Sequence, residues 1–270
     1  MVPKPDKFLG SRAKIPAVAT VVAIVNQKGG VGKSTTAINL AAYLAGLGEK
    51  ILIVDMDPQG NATSGLGASA GANGCMYDVL LEGKPLERVA IKTEIQGLEV
   101  APATINLVGA EVELVSTLAR ELKLKRALEK LPPDAYDRVL VDCPPSLDLL
   151  TLNALTAGDE VLIPIQCEYY ALEGLTQLMK SIRMVREELN PDLRIGGVLL
   201  TMFDTRTNLA HQVVEEVRSF FGNQVFRTVI PRNVRLSEAP SFGLPVTLYA
   251  PRSTGAEAYA SVAEEVLARG

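Results

Sequence analysis

Residues 21–36, VVAIVNQKGGVGKSTT, constrain this chain more than any other stretch. Five apolar residues, Val21, Val22, Ala23, Ile24 and Val25, read as a buried strand, and Ser34, Thr35 and Thr36 open a helix. A glycine-rich loop joins them. A strand, a glycine loop and a helix in that order make a phosphate cradle. Small residues let backbone N–H groups close on phosphate oxygens, and the helix N-terminus adds partial positive charge. Lys33 is placed to reach β- and γ-phosphates, and the Ser34 hydroxyl to ligate Mg²⁺. The spacing departs from G-x-x-x-x-G-K-[ST] at one point. Position 27 is glutamine where glycine is usual, and a second lysine, Lys28, stands inside the loop.

With 270 residues, 47% of them hydrophobic, the chain can bury a large core, and wholesale disorder is excluded. Its net charge of −4 excludes a protein that coats nucleic acid with its whole surface; any DNA contact must come from a local patch. Cys75, Cys143 and Cys167 are odd in number and far apart. They form neither a metal-ligand spacing nor a disulfide framework, which suits a reducing cytoplasm. Lys4, Lys7, Arg12 and Lys14 before the apolar run 17–25 superficially resemble a signal peptide. That run flows straight into the phosphate loop without a small-residue cleavage site, and it is too short to cross a bilayer. Residues 1–18, punctuated by Pro3, Pro5 and Pro16, read as a flexible basic tail before a single domain over 19–270.

Apolar runs and helical periods alternate along that domain. Strands are expected at 51–54, 98–101, 138–141, 160–165, 195–200 and 225–230. Helices are expected at 35–47, 76–81, 149–157, 171–189 and 256–267. A long helix over 107–131 would turn Val108, Val112, Val115, Leu118 and Leu122 inward, and a helix over 209–221 would bury Leu209, Val213, Val217 and Phe220. The fold class is α/β: a doubly wound, mostly parallel sheet of about seven or eight strands with helices on both faces.

Ligands in such sheets sit at the carboxyl ends of strands. Asp55, Asp57 and Asp142 fall there, beside the loop. Asp142, after the apolar Val139-Leu140-Val141, has the form of the Mg²⁺-side acid of nucleotide hydrolases. Asp57 is the candidate for positioning or deprotonating an attacking water, with Asp55 as an acid behind it. The alternative is that either aspartate simply caps a turn. Cys143 reads as a small buried residue and His211 as an exposed one. Glu168, Tyr169 and Tyr170 follow a strand end, where lining a ligand or dimer interface and plain packing are equally open.

Four segments carry a family resemblance. Residues 27–35 (QKGGVGKST) resemble the deviant phosphate loop of the ParA/MinD ATPase superfamily, 55–61 (DMDPQGN) its second motif, and 141–145 (VDCPP) its third. Residues 231–240 (PRNVRLSEAP) resemble the ParA/Soj chromosome-partitioning branch, and the likeness spans about 20–268. The resemblance implies a P-loop NTPase that hydrolyses ATP with Mg²⁺ to drive DNA segregation. Lys28, Gly29, Gly30, Val31, Gly32, Lys33, Ser34, Thr35 and Asn61 would surround the phosphates and metal, and Pro231 and Asn233 would contact adenine. It also implies a homodimer with ATP sandwiched between subunits. Lys28 would then reach the partner's ATP, and Gly29 would have to stay small for the two loops to approach. Arg206 and Arg235 match the positions that bind double-stranded DNA nonspecifically, and Arg218, Arg227 and Arg232 could widen the patch. A ParB/Spo0J-type protein would stimulate hydrolysis, and the protein would be cytoplasmic and nucleoid-associated. The alternative, a membrane-cycling MinD-like ATPase, needs a basic amphipathic C-terminal helix. Residues 258–270 carry adjacent Glu264 and Glu265 and one arginine, so no membrane partner is expected. A metallocluster relative would need paired cysteines.

Overall fold

The computed structural model describes residues 19–168 and 175–269. The tail read over 1–18, and Tyr169 and Tyr170, lie outside the described residues. Among the described residues seven strands form one sheet: β1 (Thr20–Ile24), β2 (Ile51–Asp55), β3 (Ile91–Lys92), β4 (Leu98–Ala101), β5 (Arg138–Asp142), β6 (Glu160–Gln166) and β7 (Arg194–Thr201). Their order is β3-β4-β2-β5-β1-β6-β7. Every pairing is parallel except that of β3 with β4.

The unbroken apolar runs have a simple cause. Successive side chains on a strand point to opposite faces, and here both faces are covered. Val21, Ala23, Leu52, Val54, Val139 and Val141 enter one core, while Val22, Ile24, Ile51, Ile53 and Leu140 enter the other. The second core is closed by α1 (Lys33–Gly46), whose Ala37, Ala41 and Ala45 allow close approach to the sheet. The first is closed by α2 (Leu107–Val115), α3 (Lys123–Leu128), α4 (Leu149–Ala157), α5 (Leu175–Glu188) and α6 (Asn208–Phe221). After the short α7 (Val234–Glu238), the closing helix α8 (Thr254–Arg269) packs Tyr259, Val262 and Ala263 into the second core beside α1.

Four expectations change. The helix expected over 107–131 is broken, because Ala119 turns left-handed at φ 51° between α2 and a short 3₁₀ turn at Arg120–Leu122. The backbone groups freed there are met from α4. Asn153 donates to the Arg120 carbonyl at 2.9 Å and accepts from the Leu124 N–H at 3.1 Å. The inward face also rotates. Leu107, Ala110 and Leu114 are buried, whereas Val108, Val112, Val115 and Leu118 are exposed, Leu118 to 90%. Two interleaved apolar sets share helical spacing here, so periodicity could not choose between them. Likewise α6 buries Val213 and Val217 as expected, but with Ala210 and Phe221 in place of Leu209 and Phe220.

Residues 225–230 form no strand. Their backbone meets β7 at the isolated bridge Val198–Val225, where the Phe226 N–H donates to the Val198 carbonyl at 2.9 Å, and at the bond from the Ile230 N–H to the Leu200 carbonyl at 2.8 Å. Between those points the Phe226 ring lies over Gly197, where a Cβ would collide with it. The two-residue edge strand β3 was too short to leave a pattern in the sequence.

Candidate nucleotide site and basic face

The phosphate loop leaves the carboxyl end of β1, between β5 and β6. Gly30 and Gly32 adopt φ of 74° and 92°, a region that side chains resist, so both positions favour glycine. Two polar side chains brace the loop. Asn26 donates to the Pro164 carbonyl at 2.7 Å and accepts from the Lys28 N–H at 3.0 Å. Thr201, at the end of β7, donates to the Val31 carbonyl at 2.8 Å. Lys33 is buried and its ammonium donates to the Lys28 carbonyl at 3.3 Å. Burial lowers its pKa, against the pull of Asp142, Cys143 and Asp57. Lys28 itself is half-buried and its ammonium meets no acceptor among the described residues. A Cβ on Gly29 would meet only the Pro145 Cβ, at 3.9 Å, so nothing among the described residues demands glycine there.

Strand register gathers the acids. Asp55 pairs with Asp142 across β2 and β5, and Ile24 pairs with Asp142 across β1 and β5. Asp55 is fully buried and accepts from the Asp57 N–H at 3.1 Å, the Thr63 N–H at 2.8 Å and the Thr63 hydroxyl at 2.6 Å. Burial pushes its pKa up to about 6, with Asp57 adding to the rise. Asp55 therefore ties the turn of Thr63 to the backbone at Asp57. Asp57 Oδ1 accepts from the Gln59 N–H at 3.0 Å, so the turn-capping alternative holds for that oxygen. Oδ2 takes no hydrogen bond from a described residue. Asn61 opens the turn that carries Thr63.

Asp142 is completely buried, and neither carboxylate oxygen has a hydrogen-bond partner. Burial and then Asp55 raise its pKa well above the ordinary range; the Ser34 hydroxyl and Lys33 temper the rise, although Ser34 meets neither oxygen at bonding geometry. A desolvated carboxylate without donors is costly. The Ser34 hydroxyl and this carboxylate suit a Mg²⁺ ion, which takes few protein ligands and keeps water and phosphate oxygens for the rest.

A cleft of about 290 Å³ opens beside the loop, running from Gly32 and Thr35 past Thr201 and Met202 to Pro231, Asn233 and Tyr259. It brings Pro231 and Asn233 together with the loop residues Gly32 and Thr35. Asn233 is also engaged within the chain: it caps α7 by accepting from the Arg235 N–H at 2.8 Å and donates to the Thr254 hydroxyl at 2.8 Å. Met202 sits in the cleft with φ of 52°, a strained conformation for a non-glycine residue. The sequence offered no sign of it, nor of the braces Asn26 and Thr201 or the Thr63 anchor.

Arg206 and Arg235 lie 29 positions apart in sequence, yet one backbone pairing unites their segments. The Phe203 N–H donates to the Ile230 carbonyl at 3.0 Å, and the Arg232 N–H to the Phe203 carbonyl at 2.9 Å. Arg206, Arg232 and Arg235 are all exposed. Arg218 and Arg227 sit together elsewhere, lining an open pocket with Glu265 and Arg269.

The family model described as AAA domain matches residues 19–195. The sporulation initiation inhibitor protein Soj of Bacillus subtilis is 59% identical over 251 residues, covering 93% of this chain and 99% of that protein. The chromosome partitioning protein ParA of Myxococcus xanthus is 56% identical, covering 93% and 89%. The chain belongs to the ParA/Soj family of chromosome-partitioning ATPases. Among solved structures, cobyrinic acid a,c-diamide synthase from Mycobacterium smegmatis, with a bound ATP analogue and magnesium, superposes with a TM-score of 0.81 at 38% identity, over 93% of this chain and 95% of that one.

Membership in the ParA/Soj family accords with two other features. The apolar residues of α8 pack with α1, and no helix among the described residues is long and apolar enough to cross a membrane. All three cysteines are buried and unpaired, and burial pushes the Cys143 thiol far up, which agrees with a packing role.

Proposed function

We propose that this chain is the ATP-switched, DNA-binding ATPase of a DNA-segregation system, acting as a dimer that closes around nucleotide. One observation carries the reading. The same two segments that line the nucleotide cleft with Met202, Pro231 and Asn233 also carry the exposed Arg206 and Arg235 a few residues on. A change in the cleft is therefore a change in the backbone that presents the arginines.

When bound, Mg²⁺ and ATP supply the reactive γ-phosphoryl group and neutralise charge as it develops. Ser34 and Asp142 hold the metal. Lys33 pairs with the β- and γ-phosphates, backbone N–H groups of residues 29–35 enclose them, and Pro231 and Asn233 flank the adenine. Asp57 orients water through Oδ2, the oxygen that no described residue bonds. Lys28 extends to the nucleotide of a second subunit, so ATP joins the subunits and its hydrolysis releases them. Each closed dimer presents two arginine faces, which makes DNA affinity depend on ATP through avidity. The contacts are to phosphate, independent of sequence and sensitive to salt. A ParB/Spo0J-type protein accelerates hydrolysis and so sets the lifetime of the dimer on DNA.

The test is binding to plasmid DNA in the apo, ADP and ATP states at two salt concentrations, with gel filtration of the same samples. Binding and dimerisation should appear together with ATP. Equal DNA binding in all three states would sink the proposal. Arg206→Glu with Arg235→Glu should leave an ATP dimer that no longer binds DNA.

A further inference from the structure

The arginines of this face are not free cations. Arg206 grips Asp204 with a fork, Nε to Oδ1 at 2.9 Å and Nη2 to Oδ2 at 2.7 Å, and its own N–H donates to Asp204 Oδ1 at 3.0 Å. Arg235 Nη1 donates to Glu238 Oε2 at 2.8 Å, an oxygen that also accepts from the Tyr249 hydroxyl at 3.1 Å. Arg232, whose N–H donates to the Phe203 carbonyl, donates from its Nη2 to Glu168 Oε1 at 2.7 Å. Arg206 holds the Asp204 carboxyl far below the usual carboxylate range. Three arginines thus meet three carboxylates, and the face is close to neutral at the positions where phosphate would sit.

These pairs are exposed on the arginine side, with the Arg206 side chain 84% accessible. Water and salt screen such pairs, so they open readily. A phosphate must nonetheless compete with the carboxylate for the same N–H donors and is repelled by it. Nothing in the fold requires this charge. Asp204 contributes its turn through a neutral-capable acceptor, Oδ1, and Glu238 contributes to Tyr249 through one oxygen.

We propose that Asp204 and Glu238 are intrinsic competitors for phosphate that keep the polyanion affinity of one subunit low, so that firm DNA binding needs two faces joined. Strong single faces would hold a subunit on DNA after the dimer opened, and the nucleotide would lose control of release. The inference rests on Arg206 and Arg235 being the DNA contacts, and it names what sets their strength.

Asp204→Asn with Glu238→Gln removes both charges and keeps both acceptors. The full chain, parent and variant, is titrated against a fluorescent duplex of arbitrary sequence in ADP and in ATP at several salt concentrations. In ADP the variant should bind about tenfold more tightly at low salt, and its log–log salt slope should steepen by about 0.9 for each arginine freed onto a phosphate. The ratio of ATP-state to ADP-state affinity should shrink. Parental affinity, slope and ratio in the variant would overturn the inference. Undiminished DNA binding by Arg206→Glu with Arg235→Glu in the parent background would instead overturn the reading beneath it. Should the double neutral variant fold poorly, Asp204→Asn alone must show the same three changes at about half size, or the proposal falls.

Discussion

At residue scale, the site is a set of charges held out of water until a ligand arrives. Lys33 is buried against a backbone carbonyl, and Asp142 is buried with no donor at all. Lys33→Ala should abolish ATP binding, at least about a 100-fold loss by fluorescent-nucleotide titration, since charged hydrogen bonds contribute about 1.5–3 kcal/mol each. Gly29 behaves differently. A side chain there has room within the chain, with only Pro145 nearby. Gly29→Val should therefore fold and bind ATP with near-parental affinity but fail to dimerise on gel filtration. A Gly29→Val protein that dimerised normally would remove the close approach of two loops. Lys33, Ser34, Asp57 and Asp142 were legible because spacing along one chain places them. Asn26, Thr63 and Thr201 were not, because their partners are 138, 8 and 170 positions away and nothing local marks them.

At the scale of elements, strands were read more securely than helix faces. A strand covered on both sides reads as a plain apolar run, and β1, β2 and β5 are of that kind. The helix over 107–131 offered two apolar stripes, and the sheet accepted the one through Leu114. Leu114→Ala should cost about 2–5 kcal/mol in urea unfolding, as a cavity in a packed core does. Leu118→Ala, at a nearly bare position, should stay within about 0.5 kcal/mol. Equal costs would mean the chain packs by the other stripe. Asn153→Ala should also destabilise, by about 1–3 kcal/mol, because it strands backbone groups at Arg120 and Leu124 that no helix satisfies.

At the scale of the whole molecule, sheet order does the assembly. With β1 between β5 and β6, the carboxyl ends of β1, β2 and β5 bring the loop and the acids into one site, and β7 delivers Thr201 and Met202 to it. The helix that closes the chain is tied to the helix that follows the loop, where the Tyr259 and Thr36 hydroxyls lie 3.0 Å apart. Lys28→Ala should keep ATP binding yet show no ATP-dependent dimer on gel filtration and correspondingly weak DNA binding. A Lys28→Ala dimer would take the lysine out of the second subunit's site.

The sequence by itself determined the phosphate loop, the acids at strand ends, the alternation of strand and helix, and the family. These depend on residues close together in the chain, where backbone geometry and burial leave few options. Only the tertiary structure decided which stripe of α2 faces inward, that residues 225–230 bridge without forming a strand, and that a backbone pairing joins the segments bearing Arg206 and Arg235. It also decided that each of those arginines is held by an acid. Those outcomes depend on what stands opposite a segment in space, and spacing along the chain carries no record of that.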